Sequence, residues 1–61
     1  MNEILRRRVI EEANILINTG MSVKALSRLI GISKSTIYKD MKYKLKDIDY
    51  NKYCNLKKLF L

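Results

Sequence analysis

The chain has 61 residues, 48% of them hydrophobic, with two glycines and no proline, which leaves room for one small domain (1–61) and excludes a second core or a disordered tail. Thirteen lysines and arginines against six acids give a formal charge of +7; with no histidine and one cysteine, Cys54, neither a disulfide framework nor a zinc ligand set can form within the chain. No apolar run approaches the roughly 18 residues of a membrane span and no signal-peptide segment opens the chain, so a soluble cytoplasmic protein with a reduced thiol is expected.

Little alternation of apolar and polar residues points to an all-α fold. A first helix is expected over 3–18, with Asn2 as its cap and Thr19-Gly20 as its stop. Leu5, Val9, Ala13, Leu16 and Ile17 recur at helical spacing as the buried stripe, with Ile10 beside it. Arg6-Arg7-Arg8 spans nearly a full turn, so the three cannot share a face. Glu11 and Glu12 follow Arg7 and Arg8 by four residues, within reach for surface pairs of about 0.2–0.5 kcal/mol each. The run reads as a solvated, self-paired face, with one arginine left open as a phosphate contact.

Ser22 can cap a second helix over 23–30, whose apolar residues are Val23, Leu26, Leu29 and Ile30. Gly31 suits the left-handed cap that ends it, Ile32 drops into the corner, and Ser33 can cap a third helix over 34–45. Ile37, Met41 and Leu45, four apart, form that helix's inner face. Ser27, small and four residues before Gly31, would let the two helices approach closely. So tight a connection cannot lay them antiparallel, and a steep crossing follows. The pattern is a helix-turn-helix within a three-helix core.

The outer side of the third helix offers Lys34, Ser35, Tyr38, Lys39 and Lys42. Each has a plainer reading: lysines on any surface helix are solvated, Tyr38 can cover the core rim, and Ser35 and Thr36 can assist the cap. Turn, hydroxyls and cations together point instead to the major groove of double-stranded DNA, where base edges offer acceptors and phosphates line both walls. Lys34, Ser35, Thr36, Tyr38 and Lys39 are the candidates for base edges and nearby phosphates. Lys24, Arg28, Lys42 and Lys44 are candidates for phosphate alone, Lys24 standing near a helix N-terminus. Arg28 has a second option, a pair with Asp40, whose expected role is a salt bridge between helices.

Beyond Leu45 the stretch Lys46-Asp47-Ile48-Asp49 breaks the period, and Asp49 can cap a fourth helix over 50–60. Tyr53, Leu56, Leu59 and Phe60 would close the open side of the bundle, with Ile48 as a tether and Cys54 partly buried. The ending Leu59-Phe60-Leu61 fits a packed last turn, a contact with another chain or a missing continuation. Charge is unevenly spread: Met1–Gly20 sums to zero, Met21–Ser33 to +2, Lys34–Lys46 to +4 and Asp47–Leu61 to +1. The excess peaks on the third helix, the footprint of a phosphate binder.

Gly31 to Met41, G-I-S-K-S-T-I-Y-K-D-M, resembles the helix-turn-helix of the stage III sporulation regulator D family, small transcription factors of endospore-forming bacteria. The resemblance runs without gaps from about Arg8 to Phe60 and takes in Leu45 and Ile48. The shorter pattern T-I-x-[KR]-D-[LM] also occurs in the N-terminal domains of deoR-type repressors. The family resemblance implies a regulator that activates some promoters and represses others during spore formation, with Lys34, Ser35, Thr36 and Lys39 at matching reading-helix positions. Two departures stand out. Tyr38 replaces the family's usual histidine, and the family's basic segment after the fourth helix has no counterpart before Leu61, as in a shortened relative or a core fragment.

No catalytic chemistry is expected, since no nucleophile–base pair, paired-carboxylate cleft or glycine-rich phosphate loop occurs. No cofactor, metal or small-molecule ligand is expected either, and a monomer is favoured because no dimer seam is visible. Two rival readings remain: a protein-interaction module docking through the Tyr53–Phe60 face, and a membrane-active basic amphipath. The capped corner at Gly31 argues against the second.

Overall fold

The computed structural model describes residues 2–60, which form four helices and, among the described residues, no strand. Asn2 opens α1 (Glu3–Thr19), its side-chain oxygen accepting the Ile4 amide at 2.7 Å. The helix runs one residue beyond the expected 18. Thr19 stays in the last turn by donating its hydroxyl to the Ile15 carbonyl at 2.6 Å, and Gly20 then closes the end by donating its amide to Leu16 at 3.0 Å.

Ser22 caps α2 (Val23–Ile30), accepting the Ala25 amide at 3.1 Å. Gly31 ends it at φ 72°, with its N–H donating to the Ser27 carbonyl at 2.9 Å. The Ser27 hydroxyl donates to the Ile32 carbonyl at 2.6 Å and so ties the last turn of α2 to the corner that follows. A Cβ at residue 31 would meet nothing within 4 Å, so only backbone strain opposes a side chain there. Gly31→Ala is therefore expected to lower stability by about 1–2 kcal/mol, read as a shifted urea midpoint with an unchanged slope. A neutral effect would mean that the corner readily takes another backbone shape.

Ser33 starts α3, accepting the Thr36 amide at 3.3 Å. This helix is α-helical over Lys34–Lys39, π-helical over Asp40–Lys44 and α-helical again over Leu45–Ile48. It thus passes the expected end at 45 and covers part of the stretch expected to break the period. Residues spaced four apart overshoot by about 40° per step on a regular α-helix. The wider π turn, in which the Leu45 amide reaches back to the Asp40 carbonyl, takes that drift back. Ile37, Met41 and Leu45 consequently all stay inside, at 0%, 2% and 0% exposure. Asp49 alone, extended at φ −151°, links α3 to α4 (Tyr50–Phe60), and its carboxylate caps α4 by accepting the Lys52 amide at 3.1 Å.

Helix α1 packs against the other three. Val9, Ala13 and Leu16 from α1 meet Val23 and Leu26 from α2, Ile37, Met41 and Leu45 from α3, and Leu56 from α4. Leu5, Ile17, Ile30, Ile48 and Tyr53 pack around this core half-buried. Two expected core residues lie elsewhere. Leu29 is 65% exposed, because a two-turn helix centred on Leu26 turns its neighbour past the edge of the contact. Leu59 is 59% exposed, since Leu56 and Tyr53 already complete the lid. The side chain of Phe60, and Leu61, lie outside the described residues. Among the described residues no helix is long and apolar enough to cross a membrane.

Candidate nucleic-acid interface

The corner at Gly31 and its serine caps decide what α3 shows. Ser33 fixes where the helix begins, so Ser35, Tyr38, Lys39 and Lys42 fall on an outward arc away from Ile37 and Met41, and Lys34 is exposed beside them as the first residue of the helix. All five are exposed, Tyr38 at 49%. Thr36 stands apart: it is half-buried, and its hydroxyl lies in hydrogen-bond contact with that of Ser33 at 2.9 Å, so it serves the cap. Within the wide turn the ammonium of Lys42 lies 5.8 Å from the ring centre of its exposed neighbour Tyr43. On α2, Lys24 and Arg28 are exposed one turn apart, with no ion-pair partner among the described residues.

The anticipated choice for Arg28 is settled by Asp40, which takes other partners. Arg8 Nη2 donates to Asp40 Oδ2 at 3.0 Å, joining α1 to α3, and Lys44 Nζ lies 3.2 Å from Asp40 Oδ1. An interhelical salt bridge was anticipated for Asp40; the arginine on the other side is Arg8. Lys44, proposed from the sequence as a phosphate ligand, is half-buried with its ammonium committed to this carboxylate. Arg7 pairs with Glu3 at 3.5 Å on the surface rather than with Glu11. Glu12, expected in a surface pair, is instead buried at 1% exposure.

Sequence reasoning missed this last residue, although a signal was present. Val9, Glu12 and Leu16 are spaced three and four apart, which puts Glu12 as close to the line through Val9 and Leu16 as Ala13 is on its other side. Its oxygens lack hydrogen-bond partners: Arg8 Nε stands 3.7 Å away, too far to donate. Burial first, then the neighbouring carboxyl of Asp40, push the Glu12 carboxyl up to about 8, against the opposing pull of Arg8 and Lys44. Glu12 is thus mostly a neutral acid at pH 7, able to donate its proton to Asp40.

A shallow cleft lined by Glu3, Arg6, Asp47 and Ile48 lies between the start of α1 and the end of α3. Among the described residues no cluster of histidine, cysteine and acidic side chains could hold a metal ion.

The fold and its surface define a small, basic, all-helical protein in which Lys24, Arg28, Lys34, Lys39 and Lys42 are exposed and, among the described residues, without an ion-pair partner. Residues 2–60 match the family described as stage III sporulation protein D, and the chain belongs to it. No curated protein and no solved structure matches the chain.

Proposed function

We propose that the chain is a sequence-specific DNA-binding transcriptional regulator acting in sporulation, a single helix-turn-helix domain that works in the cytoplasm as a monomer without catalytic chemistry. In this reading α2 crosses the sugar–phosphate backbone and α3 enters the major groove. One observation carries the proposal: α3 buries Ile37 and Met41 completely while its cap presents Lys34, Ser35, Tyr38 and Lys39 outward together. Membership of a sporulation family supports a regulated promoter as the occupant in this reading.

Ser35, Tyr38, Lys34 and Lys39 are assigned to base edges and adjoining phosphates, with Thr36 supporting them from the cap. Lys24, Arg28 and Lys42 are assigned to phosphate. Lys44 contributes less, because Asp40 already holds it. Five exposed cations (Lys24, Arg28, Lys34, Lys39 and Lys42) give a log–log salt slope of roughly −4 to −5. A duplex selected from a random pool, followed by fluorescence anisotropy, tests the assignment. Lys24→Ala or Lys42→Ala should weaken selected and random duplex alike and make the slope shallower by about 1. Ser35→Ala or Lys39→Ala should chiefly erode the preference for the selected site. Equal losses on both duplexes for all four changes would remove direct base reading by α3.

A further inference from the structure

Glu12 has no place on the proposed contact surface, yet it is one of two buried charged residues and lies against the other. Glu12, on α1, is 1% exposed and Asp40, on α3, is 0%. Arg8 reaches Asp40 at 3.0 Å and Glu12 at 3.7 Å, and Lys44 reaches Asp40 at 3.2 Å. The groups acting on Glu12 are therefore Arg8 from α1 with Asp40 and Lys44 from α3; α2 and α4, packed on α1 elsewhere, bring none among the described residues. Asp40 is also the first residue of the π turn, its carbonyl receiving the Leu45 amide.

Lys42 lies in the middle of that turn, which begins directly after Lys39 at the end of the stretch carrying Lys34, Ser35 and Tyr38. Relaxing it into regular helix would slide the register by one residue, swinging Leu45 and all that follows by roughly 100° and Lys42, midway through the turn, by part of that. We infer that Glu12 is a positioning residue for DNA binding: through Asp40 and the wide turn it fixes the angle between Lys42 and the residues at the start of α3. The inference rests on the DNA-binding reading above. A neutral Glu12 leaves Arg8 and Lys44 to neutralise one buried carboxylate. An ionised Glu12 sets two carboxylates against each other, competes for Arg8 and loosens the hold on the turn.

The chain has no histidine, so no imidazole titrates between pH 6 and 9. Comparing wild type with Glu12→Gln, which keeps a donor and cannot ionise, isolates the effect. Affinity for the selected duplex is measured at constant salt at both pH values, with circular dichroism confirming that each protein stays folded. Wild type is expected to weaken about tenfold from pH 6 to pH 9, and Glu12→Gln by less than about twofold. Lys42→Ala should bind more weakly at pH 6 and lose the pH response, an outcome that plain loss of stability would not produce. A wild-type affinity that ignores pH, or equal weakening of wild type and Glu12→Gln, overturns the inference and leaves DNA binding intact. Failure of wild type to bind any duplex at low salt removes the DNA-binding reading itself. Should Glu12→Gln not fold, amide exchange at Leu45 in wild type decides: protection is expected at pH 6 and reduced at pH 9 after correction for intrinsic rates, and unchanged protection overturns the inference.

Discussion

Replacing Ile37 by alanine is expected to unfold much of the protein, while the same change at the next residue, Tyr38, leaves it folded. Ile37 is fully buried among side chains of the core, and Tyr38 is 49% exposed. Truncating a buried isoleucine costs about 2–5 kcal/mol through lost transfer energy and the cavity left behind. A chain of this length has roughly 3–9 kcal/mol of total stability, so the loss takes a large share. Tyr38→Ala removes a side chain with little to leave behind and is expected to cost under about 1 kcal/mol. Thermal melts followed by circular dichroism should separate the two by about 10 °C or more. Similar melting temperatures would mean that α3 is rotated from the orientation described, and the outward arc would lose its basis.

Stability is expected to fall as the pH rises from about 5 to 8, which is opposite to the behaviour of most carboxylates held in ion pairs. The sign follows from Glu12, raised from 4.5 to about 8 in the folded chain. Below 4.5 the acid is neutral in both states and costs nothing. Between those values the unfolded chain releases the proton and the folded chain retains it, so unfolding gains with every step in pH. Above about 8 the folded chain carries the whole cost, on the order of 3–5 kcal/mol. Urea unfolding at pH 5, 6.5 and 8 should show the decline in wild type and a much flatter profile in Glu12→Gln, which should be the more stable of the two at pH 8. A level wild-type profile over that window would contradict a neutral, buried Glu12.

The corner was legible in the sequence because each part of it depends on local chemistry. Ser22 and Ser33 accept amides three residues on, Gly31 donates its own amide to the carbonyl four residues back, and the observed bonds fall where residue type alone places them. Asp49 is legible for the same reason. What the sequence hid depends on contacts between distant residues. Arg8 and Asp40 lie 32 positions apart, and no local rule marks an arginine in a run of three as the one that turns inward. The π turn was also hidden, since Ile37, Met41 and Leu45 at even spacing fit a regular helix until the drift of four-residue steps is counted. Leu29 and Leu59 were misplaced because periodicity gives the direction of a side chain and says nothing of where its neighbour ends.

The Ser27 hydroxyl, bonded to the Ile32 carbonyl, has a kinetic consequence. It ties the elbow to the end of α2 in the free protein, so in the DNA-binding reading no moulding of the backbone has to accompany arrival at a promoter. Little ordering entropy is then spent on docking, and the encounter proceeds at the pace set by diffusion and charge attraction. Discrimination between promoters would accordingly lie in how long each complex survives.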